Sequence, residues 1–109
     1  MAYSEDVAER VREVMASEEG YEEKKMFGGL CFLRHGNMVA GVVGDELMIR
    51  VGKDGHDQAV AMPHAREMDF TGRSMRGIVQ VEPAGFKGDD ELSAWVDRGL
   101  AFARTLPPK

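Results

Sequence analysis

The sequence predicts an α+β fold of two layers, an antiparallel sheet of about five strands with helices packed against it. Three observations carry that expectation. Short apolar runs follow one another in the middle of the chain, "MFGGLCFL", "MVAGVV" and "ELMIRV", separated by glycine-bearing turns of the kind that close hairpins. Apolar residues at helical spacing occupy both ends: Val7, Val11, Val14 and Met15, then Leu92, Trp95, Val96, Leu100, Ala103 and Leu106. The resulting order, α-β-β-β-α-β-β-α, joins strands by connections short enough for antiparallel pairing, which leaves the helices to cover the sheet.

The elements follow in turn. Ser4 caps a first helix whose opening acids, Glu5 and Asp6, suit the positive end of the helix dipole, and Gly20 marks its end. Glu22 to Lys25 read as a charged connector. Gly28, Gly29, Gly36 and Gly44 supply the turns and tight backbone passages of a three-strand meander. "KDGHDQAVAM" is a short helix stopped by Pro63. Residues 66–71 and 75–82 are two further strands around a turn at Gly72. Pro83 to Gly88 form a loop, Asp89 or Asp90 caps the last helix, and Trp95 packs on the sheet. At 109 residues the chain has room for one core, so a single domain over 1–109 is expected.

Register refines the picture. With Gly44-Asp45 as a two-residue turn, Val42 faces Leu47 and Ala40 faces Ile49, giving an apolar face for the helices. Strict alternation then sends Val39, Gly41, Val43, Met48 and Arg50 to the opposite face. Across the turn at 35–37 it places Cys31 and Leu33 with the helices, and Leu30 and Phe32 on the far side. That far side, with Leu30, Phe32, Val39, Val43 and Met48 together, is apolar enough to need cover. The 54–62 helix, the N-terminal connector or a second subunit in a two-fold dimer would supply it. Among the methionines, Met38 and Met62 read as core filling and Met48 as surface.

Charge and composition exclude several functions. The net charge is −5, and the basic residues are scattered, so direct nucleic-acid binding is disfavoured. No apolar run reaches the length of a membrane span, and the acidic N-terminus lacks the pattern of a secretory signal. With a lone Cys31, a reducing cytoplasmic compartment is the expectation.

The stretch "DFTGRSMRG" at 69–77 has two glycines five apart, as a phosphate-binding loop does. Ile78 and Val79 follow where Lys and Ser or Thr are required, and the next segment reads as a strand rather than a helix, so the motif fails. Asp69 and Arg73 instead read as a surface pair across the Thr71-Gly72 turn; in the functional reading Arg73 and Arg76 are forked donors for an acidic partner surface or a small anion. Cys31 reads as a buried structural thiol, because the predicted positions of His35, His56 and His64 bring no base to it. The histidines also lack metal-ligand spacing, and no metal or cofactor is expected.

Several blocks in order, "MFGGLCFL", "GNMVAGVVGDELMIRVG", "MDFTGRSMRGIVQVEP" and "LSAWVDRGLAFARTLPPK", together resemble the TfoX N-terminal domain family, named for bacterial regulators of natural competence. The resemblance spans roughly Val7 to Lys109. It implies an α+β order like the one above, a fold like that of the secretion chaperones, and no catalytic residues. The longer regulators carry an additional helical C-terminal domain, which this chain, stopping at Lys109, is expected to lack. The functional expectation is a non-enzymatic regulatory or protein-interaction domain, binding another protein or itself through Arg73, Arg76, Phe32, Met48 and Arg50. The alternative is a small-ligand-binding or enzymatic domain using Gly28-Gly29 with Cys31 and Arg73.

Overall fold

The computed structural model describes residues 3–26, 28–70 and 73–109, with the side chains of 69, 70 and 73–76 outside the description. Three helices and six strands follow in the order α1 (Glu5–Met15), β1 (Tyr21–Met26), β2 (Gly29–Arg34), β3 (Asn37–Val43), β4 (Glu46–Arg50), α2 (Gly52–Val60), β5 (Ala65–Phe70), β6 (Arg73–Val81) and α3 (Asp89–Ala103), with a 3-10 turn at Pro83–Phe86 before α3. The sheet is antiparallel, in the order β1-β2-β3-β4-β6-β5. No helix among the described residues is long and apolar enough to cross a membrane.

The α+β fold of the sequence reading stands, with one strand more. The charged connector is β1, hydrogen-bonded to β2 along its whole length from Tyr21↔Arg34 to Met26↔Gly29. It carries no apolar alternation because it is an edge strand, with Glu22 to Met26 all exposed; charge on an edge also discourages pairing with other chains. Side chains anchor it to α1. Arg12 Nε donates to Glu23 at 2.8 Å, and the Tyr21 hydroxyl donates to the same carboxylate. Helix α1 itself starts where expected, with the Val7 N–H donating to Ser4 Oγ at 3.3 Å, but it ends at Met15, short of Gly20.

The turn at Gly44 sets β3 against β4 in the predicted register, Val42↔Leu47 and Ala40↔Ile49. The β2–β3 hairpin departs from prediction. His35 and Gly36 both have positive φ, 50° and 83°, as a type I′ turn requires, and Leu33 pairs with Met38. One step on, Phe32 pairs with Ala40, leaving Val39 as an extra residue in β3. This bulge turns both Val39 and Ala40 toward the helices. Its effect is to invert β2. Leu30, Phe32 and Val39, expected on the far face, lie in the main core with Val11, Met15, Phe86, Leu92, Trp95 and Leu100, whereas Cys31 and Met38 lie on the other side.

That other side is covered within the chain. Cys31, Met48 and Met68 form a second cluster at 0%, 1% and 7% exposure, flanked by Met38, Val43 and Ile78. Gly41 makes room for it: a Cβ there would come within 2.6 Å of the Met48 methyl and 3.5 Å of Cys31 Sγ. Met68 arrives from β5 at a break in register. Glu67 faces Val79 but Met68 faces Met75, so residues 76–78 of β6 bulge with no partner in β5, while Ile78 still pairs with Arg50 of β4.

The bulge in β6 is what fixes α2. The Gly77 carbonyl accepts from the Val51 N–H at 2.8 Å, and the Gly77 N–H donates to His56 Nδ1 at 2.9 Å. His56 is 1% exposed. Since its Nδ1 accepts a hydrogen bond, Nε2 carries the ring hydrogen and faces the Glu67 carboxylate at 3.3 Å.

Candidate functional site

Two recesses lie between the short helix α2 and the long helix α3, one at each end of α2. The larger, about 900 Å³, opens where β4 runs into α2 and is walled by Met26, Met38, Ile78 and Phe102, with Lys53, Asp54 and Thr105 at its rim. Local chain chemistry builds it. Gly52 opens α2 with φ +80°, and any Cβ there would sit 2.5 Å from the Phe102 ring, so only glycine allows α3 to approach the strand-to-helix junction this closely. Phe102 in turn supports Arg50, whose guanidinium lies 5.2 Å from the ring centroid, a cation–π contact.

Arg50 is unusual in its surroundings. Arg10, Arg12, Arg34, Arg66 and Arg104 all pair with carboxylates. Among the described residues no carboxylate pairs with Arg50, nor with Lys53 beside it. The first turn of α2 lines the same recess, and its N-cap Val51 offers no side-chain oxygen to the helix N–H groups.

The smaller recess, about 230 Å³, is a socket at the other end of α2, lined by Met62, Pro63 and His64 against Trp95 and Arg98 of α3. Arg98 lies 5.3 Å from the Trp95 ring centroid. Met62, read from the sequence as core filling, is 39% exposed, more than any other large apolar side chain described. Trp95 packs in the main core as expected, at 5%. His64 bonds Glu82 at 2.8 Å.

The residues selected from sequence disperse. Arg50 enters the large recess. Phe32 and Met48, at 0% and 1% exposure, are core side chains and unavailable to a partner. The side chains of Arg73 and Arg76, and the Gly72 turn, lie outside the described residues. Gly28, Gly36 and Gly44 sit in turns with positive φ, while Gly29 passes directly against the Val42 carbonyl of β3. Cys31 is 0% exposed, burial pushes its thiol pKa up, and the three histidines have other neighbours: His35 lies 3.7 Å from Glu19, His56 bonds Gly77 and Glu67, and His64 bonds Glu82. None of the three histidines therefore stands as a base for the Cys31 thiol. Among the described residues no three His, Cys, Asp or Glu side chains converge as metal ligands. Sequence reading missed Phe102, Gly52, Met62 and Arg98; for Gly52 and Arg98 the local signals were a glycine directly after a strand and an arginine three residues past a tryptophan, one helical turn away.

The profile of the TfoX N-terminal domain matches residues 13–103, from the end of α1 through α3. Compared with curated proteins and with solved structures, the chain matches none. The extent of the profile match decides the family: the chain belongs to the TfoX N-terminal domain family.

Proposed function

We propose that this chain is a non-enzymatic regulatory domain of the cytoplasm that works by contact with another protein. The observation that supports it is the socket at the end of α2. An exposed methionine stands beside a tryptophan overlaid by an arginine that has no carboxylate partner among the described residues. Tryptophan, arginine and methionine are the side chains that protein interfaces concentrate, and a recess of about 230 Å³ suits one anchoring apolar side chain from a partner. Arg98 would then meet an acidic group next to that anchor, which gives orientation. The TfoX relationship supplies regulation as the context.

The test is affinity capture from the source-cell lysate with wild type, Met62→Glu and Arg98→Ala as baits, read by quantitative mass spectrometry. A protein enriched by wild type should fall at least about tenfold with Met62→Glu, an effect of about 1.4 kcal/mol, and bind less as salt rises. Equal enrichment by all three baits refutes the socket as the contact.

A further inference from the structure

Going beyond protein contact, we propose that the large recess between the start of α2 and the end of α3 binds a small monocarboxylate with an aliphatic or aromatic body. Size is the first argument. Its volume of about 900 Å³ lies within the range of about 300–1,000 Å³ that small-molecule sites occupy, and it is several times the socket.

Division of the lining is the second. Met38, Ile78 and Phe102 supply apolar lining, while Arg50 and Lys53 line it from either side of the junction between β4 and α2. Stacking on Phe102 holds the guanidinium in place and shields one face, leaving its N–H edge to donate in a plane. That fork matches the two oxygens of a carboxylate. The chain has 19 acidic residues against 14 basic ones, and it pairs every other described arginine with a carboxylate except Arg98. An arginine fixed on a ring with its donors unengaged is prepared for an anion from outside.

Charge count is the third. Among the described residues Asp54 lines the same recess, so of these charges one carboxylate offsets the two cations and the excess is a single positive charge. A monoanion balances it. A polyphosphate or a nucleic-acid backbone would instead face Asp54 and the negative field of the chain as a whole. The first turn of α2, uncapped by any side chain, adds to the positive potential there.

The experiment is an NMR titration of the purified 15N-labelled chain with 4-phenylbutyrate and octanoate, against 4-phenylbutan-1-ol and 4-phenylbutylamine as neutral and cationic counterparts. Saturable shifts are expected at the amides of Gly52, Lys53, Asp54 and Thr105, with the alcohol and the amine at least about tenfold weaker than the acid. Arg50→Ala should weaken the acid by about tenfold, and Arg50→Lys, which keeps the charge but loses the fork and the stacking, should fall between. Met62→Glu should leave the titration unchanged, which separates this site from the protein contact. Equal affinity for acid and alcohol, shifts centred elsewhere, or no saturable shift with either carboxylate up to about 10 mM each overturns the proposal.

Discussion

His56 Nδ1 accepts the N–H of Gly77 at 2.9 Å, and through this bond the helix α2 grips the bulge in β6. The donor is a buried backbone group, and removing the ring takes away its acceptor. His56→Ala is expected to cost about 1–3 kcal/mol, the penalty of an orphaned buried donor, measured as a lower urea midpoint at unchanged m-value. A loss below about 0.5 kcal/mol would show that the bond does not hold α2.

Glu18 predicts an acid-sensitive step. It accepts from Arg104 Nη2 at 2.8 Å and from Arg34 Nε at 2.9 Å, tying the turn after α1 to β2 and to the end of α3. The Arg104 bond, aided by Arg34, holds its carboxyl below the ordinary value against the upward push of desolvation. A carboxyl lower in the folded state than in the unfolded one contributes fully above the unfolded value, about 4.3. That contribution is lost as pH falls through the folded value. Stability of the wild type should therefore drop below about pH 4.5 more steeply than that of Glu18→Gln. At pH 7 the variant should be weaker by about 1–2 kcal/mol. Parallel pH profiles would contradict the assignment.

Phe32 now tests the core and not an interface. Buried completely and stacked at 6.5 Å on Tyr21, it should lose about 3–5 kcal/mol on Phe32→Ala, seen in chemical denaturation. Phe32→Glu should not fold. A cost near zero would return β2 to the opposite orientation.

Cys31 should resist labelling. With the thiol at 0% exposure and its pKa raised by burial, reaction with a disulfide reagent at pH 7.5 requires local opening. The native rate should be at least about a hundredfold below the rate in urea. Fast native labelling would place the thiol at the surface.

Much of this architecture is legible in the residues, and the failures have physical causes. Gly44 fixed the β3–β4 register because a two-residue turn leaves no freedom in pairing. The helices were marked by Ser4, Pro63 and the spacing of Leu92, Val96, Leu100 and Ala103. Strand β1 carried no mark, since an edge strand exposed on both faces has no apolar alternation to display. The bulge at Val39 was silent as well: "MVAGVV" alternates equally well in either phase, and the choice is made by Phe32 finding the core. The recesses were the least legible. Met26, Arg50 and Phe102 are brought together only by tertiary folding, and a lone glycine at 52 says that the chain turns without saying that a ring approaches it.

The extra residue in β3 also constrains how this chain can vary. A strand is read two residues at a time, so a single insertion or deletion acts on it as a frameshift acts on a gene. Removing Val39 would restore unbroken alternation between the Gly36 and Gly44 turns, sending Phe32 outward and the Cys31 thiol toward α1 and α3 with no change in any other residue. Substitutions at Val39 by other apolar side chains should be borne far better than its deletion. Length in this hairpin is thus part of the information that specifies the core, and drift in the family there should proceed by replacement or by paired changes that preserve parity.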